Sequence, residues 1–501
     1  MTAAWGRVPD LLAAHLLLSF AALALGLAVA LPLIVLASRN AAVARIALGF
    51  ASLVQTIPAL ALLALFFPIL FWLGLPPLGF LPALLALSLY ALLPILRNGV
   101  TGLAGLDPAV IEAADGIGMT PAQKLRLVEA PLVLPVLMAG IRTAAVWTIG
   151  AATLATTVGQ PSLGDLIFAG LQTQAWPLVL AGCIASAGLA IAVDALLGLA
   201  ERGIATGRRW LWGASLAVLA IAAGIAIAPR FAAKPDSVVV GAKNFAEQFI
   251  LARLIGQRLE AAGYAVTYRE GLGSAVAYGA LKTGAIDVYV DYAGTIWTGE
   301  MKRSDTPPAA RMLPAIDAWA RATSGVRLVG PLGFENAYAF AMKGADAKRR
   351  GIATLADLAA QSGQLRLGAD LEFLDRPEWA AVQRAYPMRF ATARAYSPSF
   401  MYASLGSGTS DVISAFSSDG RIAADGLVTL TDPKGAIPRY DAILLVAPRR
   451  AGDARFAAAL RPLLNAIPVG VMRKANYLVD RDTDKRTPDE AARWLAKAIS
   501  R

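Results

Sequence analysis

Glu112-Ala-Ala-Asp-Gly-Ile-Gly118, running on to Val128-Glu-Ala-Pro131, is a polar interval punctuated by glycine and proline, set between apolar segments long enough to cross a bilayer. Such a stretch between two spans protrudes from the membrane as an ordered structure. Its local grammar specifies two short helices. Asp107 caps the first, with Pro108 where a missing N–H costs nothing, and Gly116 and Gly118 let the chain break. Thr120-Pro121-Ala122-Gln123 opens the second with a capping hydroxyl, an N1 proline and a capping-box amide; Leu125 and Val128 give its apolar stripe, and Pro131 is expected to stop it. The pair forms an amphipathic knob suited to a partner's groove.

The flanking sequence divides sharply. At 501 residues the chain exceeds one core, so at least two domains are expected. Hydrophobic residues make up 57% and charged residues 16%, but the long apolar runs lie before about Pro229 and the remainder has the composition of a water-soluble protein. The expected organisation is a membrane domain over 1–230, with its polar loop at 107–131, a tether over 231–237, and a globular domain over 238–501. Cys183 is the single cysteine, which excludes an intramolecular disulfide and a cysteine zinc site. His15, the single histidine, is expected to anchor the first span near an interface. The net charge of +11 comes without a basic stripe interleaved with aromatics, so nucleic acid is not an expected partner.

Six crossings are expected: 11–37, 43–73 with a kink from Pro58 and Pro68, 78–96, 132–158, 178–199 and 211–228. Arg39, Arg45, Arg97, Lys124, Arg126, Arg202, Arg208 and Arg209 fall on one set of connections, whereas 73–79 and 159–176 carry no positive charge. The 107–131 loop is therefore cytoplasmic, and both the N-terminus and everything after Arg230 lie outside. The loop Gly159–Phe168 belongs to the external face. Asp194, inside the fifth span, must face protein or water near the cytoplasmic end.

From Val238 the period changes. Strand signals at 238–241, 265–268 and 286–290 alternate with helical ones at 245–262 and 274–283, and the alternation recurs with 365–368, 401–405 and 411–416 before a closing helix at 488–499. The expected fold class is thus an α-helical membrane domain joined to an α/β domain of two lobes, with a ligand cleft between the lobes.

The spacing Glu112-Ala113-Ala114, Gly118, then Val128-Glu129-Ala130-Pro131 resembles the cytoplasmic EAA loop of ABC-importer permeases, whose pattern ends I-x-L-P. The resemblance implies that Glu112, Ala113, Ala114 and Gly118 couple to a separate cytoplasmic ABC ATPase subunit. It also implies a permease homodimer embedded in the lipid of the inner (plasma) membrane as a multi-pass protein, with the binding domain periplasmic. No Walker A pattern occurs, so ATP is expected to be used by the partner, and no cofactor or metal is expected here. HExxH, a cysteine–histidine pair and a defensible carboxylate pair are absent too, which argues against an enzyme.

Five further segments resemble the binding proteins for glycine betaine, carnitine and choline: Gly241-Ala-Lys-Asn-Phe-Ala-Glu-Gln248, Asp287-Val-Tyr-Val-Asp-Tyr-Ala-Gly-Thr295, Pro331-Leu-Gly-Phe-Glu-Asn-Ala-Tyr338, Glu372-Phe-Leu-Asp-Arg376, and Ala415-Phe-Ser-Ser-Asp-Gly-Arg421 with Pro438-Arg-Tyr440. A trimethylammonium head cannot donate a conventional hydrogen bond, so ring faces must recognise it. The resemblance implies Tyr292, Tyr338, Phe416 and Tyr440 as those rings. It implies Gln248 and Thr295 as polar holders of the ligand's far end, and Asn244, at a helix start, as a possible further donor. Tyr289 reads as structural, Glu372 and Arg376 as a lobe-bracing i,i+4 pair, and Asp419 and Arg421 as turn and interlobe groups. Asp291, Ala293, Phe416 and the Pro377-Glu-Trp379 turn depart from the family's usual residues. Osmoprotectant uptake is the leading expectation; ergothioneine or another betaine as cargo, and a ligand receptor without transport, stand as alternatives.

Overall fold

The computed structural model describes residues 5–173, 175–227, 236–305, 307–370, 372–481 and 483–500. The chain divides into two compact units, one built from the apolar helices before residue 228, the other from the segment starting at Asp236 with the short piece Ala169–Trp176 grouped to it. Residues 228–235, which hold most of the expected tether, lie outside the described residues; Ser237 already belongs to the first strand.

In the membrane unit, five helical segments are long and apolar enough to cross: Val8–Arg39, Phe80–Ala104, Pro121–Val158, Trp176–Ala205 and Arg209–Ile227. Ala41–Thr56 and Ala59–Trp72 qualify only together, bent by 103° at Ile57-Pro58. The pair starts beside the Arg39 end, where Asn40 caps it, and leads to the Gly79 corner, whose N–H donates to the Val158 carbonyl at 2.7 Å. It therefore joins the two ends as a broken sixth span. A break inside hydrocarbon frees backbone carbonyls that must be re-satisfied. The Tyr90 hydroxyl donates to the Ile57 carbonyl, and Gln55 Nε2 donates back to the Tyr90 carbonyl at 3.3 Å.

Two polar residues in the spans are settled by their partners. Asp194 accepts two hydrogen bonds from Arg142, at 3.0 and 2.9 Å, and Arg142 also reaches Glu201 at 2.8 Å, so the expected costly charge is neutralised by a neighbouring helix. His15 is not an interface anchor: it is buried, its Nε2 lies 2.9 Å from the Ile149 carbonyl, and its Nδ1 accepts from the Leu163 N–H at 3.3 Å. Both ring nitrogens fasten the first helix to the 149–163 segment, a contact across the sequence that periodicity does not reveal.

The 107–131 loop forms with one correction. Asp107 caps Pro108–Gly116, Thr120 and Gln123 complete a capping box, Gly118 takes φ +76°, and Lys124 ties back to Asp115 at 2.7 Å. Pro131, however, does not end the second helix, because Leu125–Glu129 widens into a π-turn and the chain continues helically to Val158. A proline clashes with the carbonyl four residues earlier and offers it no N–H. The wider turn carries the chain past that defect, as the Ala130 N–H bonds to the Leu125 carbonyl five residues back.

The soluble unit consists of two five-stranded sheets. The first contains β1 (Ser237–Lys243), β2 (Ala265–Leu272), β3 (Val288–Tyr292), β4 (Arg327–Glu335) and β10 (Asp441–Val446) in the order β2-β1-β3-β10-β4. The second contains β5 (Tyr338–Lys343), β6 (Arg366–Asp370), β7 (Thr392–Tyr396), β8 (Val412–Phe416) and β9 (Leu427–Thr429) in the order β7-β6-β8-β5-β9. Residues 401–405 belong to a helix, Pro398–Gly406, that packs on this second sheet. The chain crosses between lobes at Asn336-Ala337 and returns between Thr429 and Asp441. Helices Val469–Asp480 and Pro488–Ile499 then pack on Ala246–Ala261 of the first lobe. β1, β3, β6 and β8 end at Lys243, Tyr292, Asp370 and Phe416, and the carboxyl ends of such strands are where open α/β sheets bind ligands.

Candidate substrate cleft

Those four strand ends converge on one cavity of about 240 Å³, which Asn244, Phe245, Ser274, Thr295, Asn336, Tyr338, Glu372, Arg376 and Tyr440 complete. Its aromatic wall is assembled from both lobes. Tyr338 and Phe416 are directly opposed on β5 and β8, with ring centroids 4.9 Å apart. Tyr440 meets Tyr338 edge-on at 5.9 Å, and Phe245 stacks at 6.2 Å on Tyr292 and at 6.1 Å on Phe416. Five rings thus border a single hollow.

Of the residues expected to bind ligand, Asn244, Tyr292, Thr295, Tyr338, Phe416 and Tyr440 line this cavity. Gln248 does not. It is 1% exposed, its Nε2 donates to the Tyr292 hydroxyl at 3.0 Å and its Oε1 accepts from the Lys243 N–H at 3.3 Å, so it holds a cleft ring from behind. Glu372 and Arg376 do pair, at 3.0 Å, but around a short 3₁₀ turn, with Arg376 in extended backbone. The pair also lines the cleft, and the guanidinium sits 5.6 Å from the Tyr338 ring centre. Tyr289 is fully buried and donates to Asp291 at 2.5 Å, a structural role. Asp419 accepts from the Arg421 N–H at 3.0 Å in a turn.

Lys243, Phe245, Ser274, Asn336 and Asp370 were not anticipated. Lys243 and Asp370 share one signal, the last position of a strand; Phe245, next to the expected Asn244, precedes the first helix.

The charged groups lining the cavity balance, and each cation is tied to a carboxylate. In the lining, Lys243 and Arg376 stand against Asp370 and Glu372, two cations and two carboxylates; behind it Lys243 pairs with buried Asp291, and Arg376, besides Glu372, reaches Glu378 at 3.2 Å. Burial works against ionising Glu378, but the Arg376 guanidinium and the Tyr440 and Thr298 hydroxyls hold its carboxyl below the usual range. Burial likewise opposes the Arg376 charge, and the facing Tyr338, Tyr440 and Glu378 outweigh it. Burial, assisted by nearby carboxylates, pushes the Tyr292 and Tyr338 phenols well above their ordinary value, so these rings are neutral. Tyr338 donates to Asp370 at 3.2 Å, and Thr298 to Glu378 at 2.7 Å. A hollow of neutral rings whose cations are already paired with carboxylates suits a desolvated organic cation. Among the described residues, no three or more His, Cys, Asp or Glu side chains are arranged to hold a metal ion.

Residues 236–497 match the family described as the substrate binding domain of ABC-type glycine betaine transport system, and residues 17–206 match the binding-protein-dependent transport system inner membrane component. The ergothioneine transport permease/ergothioneine binding protein EgtU of Helicobacter pylori (strain G27) is 30% identical over 444 residues, 85% of this chain and 78% of that protein. The choline transport system permease protein OpuBB of Bacillus subtilis (strain 168) is 44% identical over 188 residues, 38% of this chain and 84% of its own. The carnitine transport permease protein OpuCB of Listeria monocytogenes is 45% identical over 187 residues, 37% of this chain and 83% of its own. In importers of this kind the permease is a multi-pass inner-membrane protein, the binding domain is extracytoplasmic, and a separate partner subunit hydrolyses ATP. The chain belongs to the binding-protein-dependent ABC importers, as a permease joined in one polypeptide to a substrate-binding domain of the glycine betaine transport type.

Proposed function

We propose that this chain captures a small quaternary amine in the cleft between β1, β3, β6 and β8 and passes it through a homodimeric permease driven by the partner ATPase. The observation that carries the reading is the five-ring wall around a cavity whose two lining cations, Lys243 and Arg376, are each paired with carboxylates. An ammonium without N–H groups binds ring faces, and those faces favour its charge over a neutral isostere. Choline, carnitine and ergothioneine, which the relatives' names state, share a trimethylammonium group, and that group is the assigned recognition element. Thr295, Asn244, Ser274 and Arg376 are the polar contacts for the rest of the ligand, with Gln248 supporting Tyr292. On the cytoplasmic side, Glu112, Ala113 and Gly118 are exposed and form the surface that enters the ATPase, whereas Ala114, also expected there, is buried and packs the helix from beneath. Ile46, Leu53, Ile191 and Ile221, exposed on the membrane helices, face bilayer lipid or the second copy.

The test uses the full chain in lipid nanodiscs, titrated with glycine betaine, choline, carnitine, proline betaine and ergothioneine, then vesicles containing the ATPase and ATP. Saturable binding of at least one, followed by its accumulation, is expected. Binding without accumulation would turn the assignment toward a receptor, and no binding by any of the five would refute the cleft assignment.

A further inference from the structure

Glu247, in the first turn of Ala246–Ala261, is 3% exposed and has no place in the cleft lining. Its carboxylate nonetheless gathers four donors. Oε1 accepts from the Tyr292 hydroxyl at 2.7 Å and from Asn336 Nδ2 at 3.1 Å; Oε2 accepts from the Ser418 hydroxyl at 2.6 Å and from Asn476 Nδ2 at 2.7 Å. These donors come from four parts of the fold: the end of β3, the crossing between the lobes, the turn after β8 in the second lobe, and the helix Val469–Asp480. Asn476 Nδ2 also reaches the Ser418 carbonyl at 2.8 Å, closing the second-lobe side.

Four converging donors require a group that only accepts, which among side chains of this length means a carboxylate; an amide would direct N–H at N–H. One oxygen thus holds a ring of the cleft wall, and the other holds the opposite lobe. We propose that Glu247 is a positioning residue that couples the Tyr292 ring to lobe geometry, so that ligand affinity and lobe closure depend on one carboxylate. This rests on the assignment of the cleft as the quaternary-amine site.

The test uses the full chain in nanodiscs with Cys183→Ala and spin labels at exposed positions 260 and 348, one in each lobe. Glu247→Gln keeps the shape with the wrong donor pattern, Tyr292→Phe keeps the ring and drops the hydroxyl, and Ser418→Ala cuts only the second-lobe link. Choline and glycine betaine affinities are measured by calorimetry, and interlobe distances by pulsed electron resonance without ligand. Glu247→Gln and Tyr292→Phe are each expected to weaken binding about tenfold, and the double variant no further than the weaker single. Ser418→Ala should weaken binding too, although it lies outside the cleft. The ligand-free distance distribution should broaden in Glu247→Gln and in Ser418→Ala. Independent, multiplying losses in the double variant would overturn the coupling, and so would wild-type distances in both Glu247→Gln and Ser418→Ala. If Glu247→Gln does not fold, Ser418→Ala and its double with Tyr292→Phe carry the same comparison. If the wild type binds none of the five ligands named for the cleft, the cleft assignment fails by itself, while the ligand-free distances still decide whether the carboxylate ties the lobes.

Discussion

Replacing Tyr338 with leucine separates ring electrostatics from packing. Tyr338 opens β5 just after the interlobe crossing, is 7% exposed, and contacts Phe373 at 4.8 Å, Phe416 at 4.9 Å and Tyr440 at 5.9 Å between ring centres. Truncation to alanine would confound the measurement, because removing a buried aromatic costs about 3–5 kcal/mol of stability. Leucine retains much of the apolar volume and removes the π face. A desolvated cation–π contact is worth about 2 kcal/mol, which corresponds to roughly 30-fold in Kd. Calorimetry with choline and with its uncharged carbon isostere, 3,3-dimethylbutan-1-ol, measures that term directly. The wild type should prefer choline strongly, Tyr338→Leu should lose most of that preference, and Tyr338→Phe should keep it despite losing the hydrogen bond to Asp370. A folded Tyr338→Leu protein that still prefers choline by the wild-type ratio would refute the assignment of this ring to the cation.

Gly118→Val places a β-branched residue at φ +76°, a left-handed conformation that costs L-residues roughly 1–2 kcal/mol; ligand binding should persist while ligand-stimulated ATP hydrolysis by the reconstituted complex falls. Arg142→Met leaves Asp194 and Glu201 without their cation. Breaking a fully buried pair costs about 3–5 kcal/mol and this partly exposed one less, so the melting temperature in nanodiscs should drop and recover when Asp194→Asn and Glu201→Gln are added. Burial, reinforced by the Asp419 charge, raises the Asp480 carboxyl well above its ordinary range. The folded state then holds that proton more tightly than the unfolded state, so stability falls as pH climbs from about 4 toward the raised value. Asp480→Asn should flatten the decline in a thermal melt series, and an unchanged slope would rule out Asp480 as its source.

What could be read from the chain depended on how local the signal was. Asp107, Thr120 and Gln123 cap their own helices, and their roles were legible because each bond spans at most three residues. The strands β1, β3 and β8 were legible from their apolar runs. The aromatic cleft residues came from resemblance, since nothing in the spacing of Tyr292, Tyr338 and Tyr440 predicts that β3, β5 and the residue before β10, from two sheets, deliver them to one hollow. Gln248 was placed in the ligand's shell by the same route, and its neighbour's geometry puts it behind Tyr292 instead. Arg142 with Asp194, and His15 with Ile149 and Leu163, were illegible because their partners lie on other helices. Pro131 misled for a physical reason: a π-turn lets a proline pass within a helix that its sequence signal should terminate.

That π-turn has a mechanical consequence. Pro121–Val158 is 38 residues of continuous helical chain, from the 107–131 loop to the corner beside Gly79, about 57 Å along the axis at ~1.5 Å per residue. Had Pro131 ended the helix, the chain would be cut in two there; the π-turn keeps one helical path through it, along which tilt or rotation at one end can reach the other. Excising a single residue from 125–129 would turn the segment before it by about 100° about the helix axis relative to the span that follows.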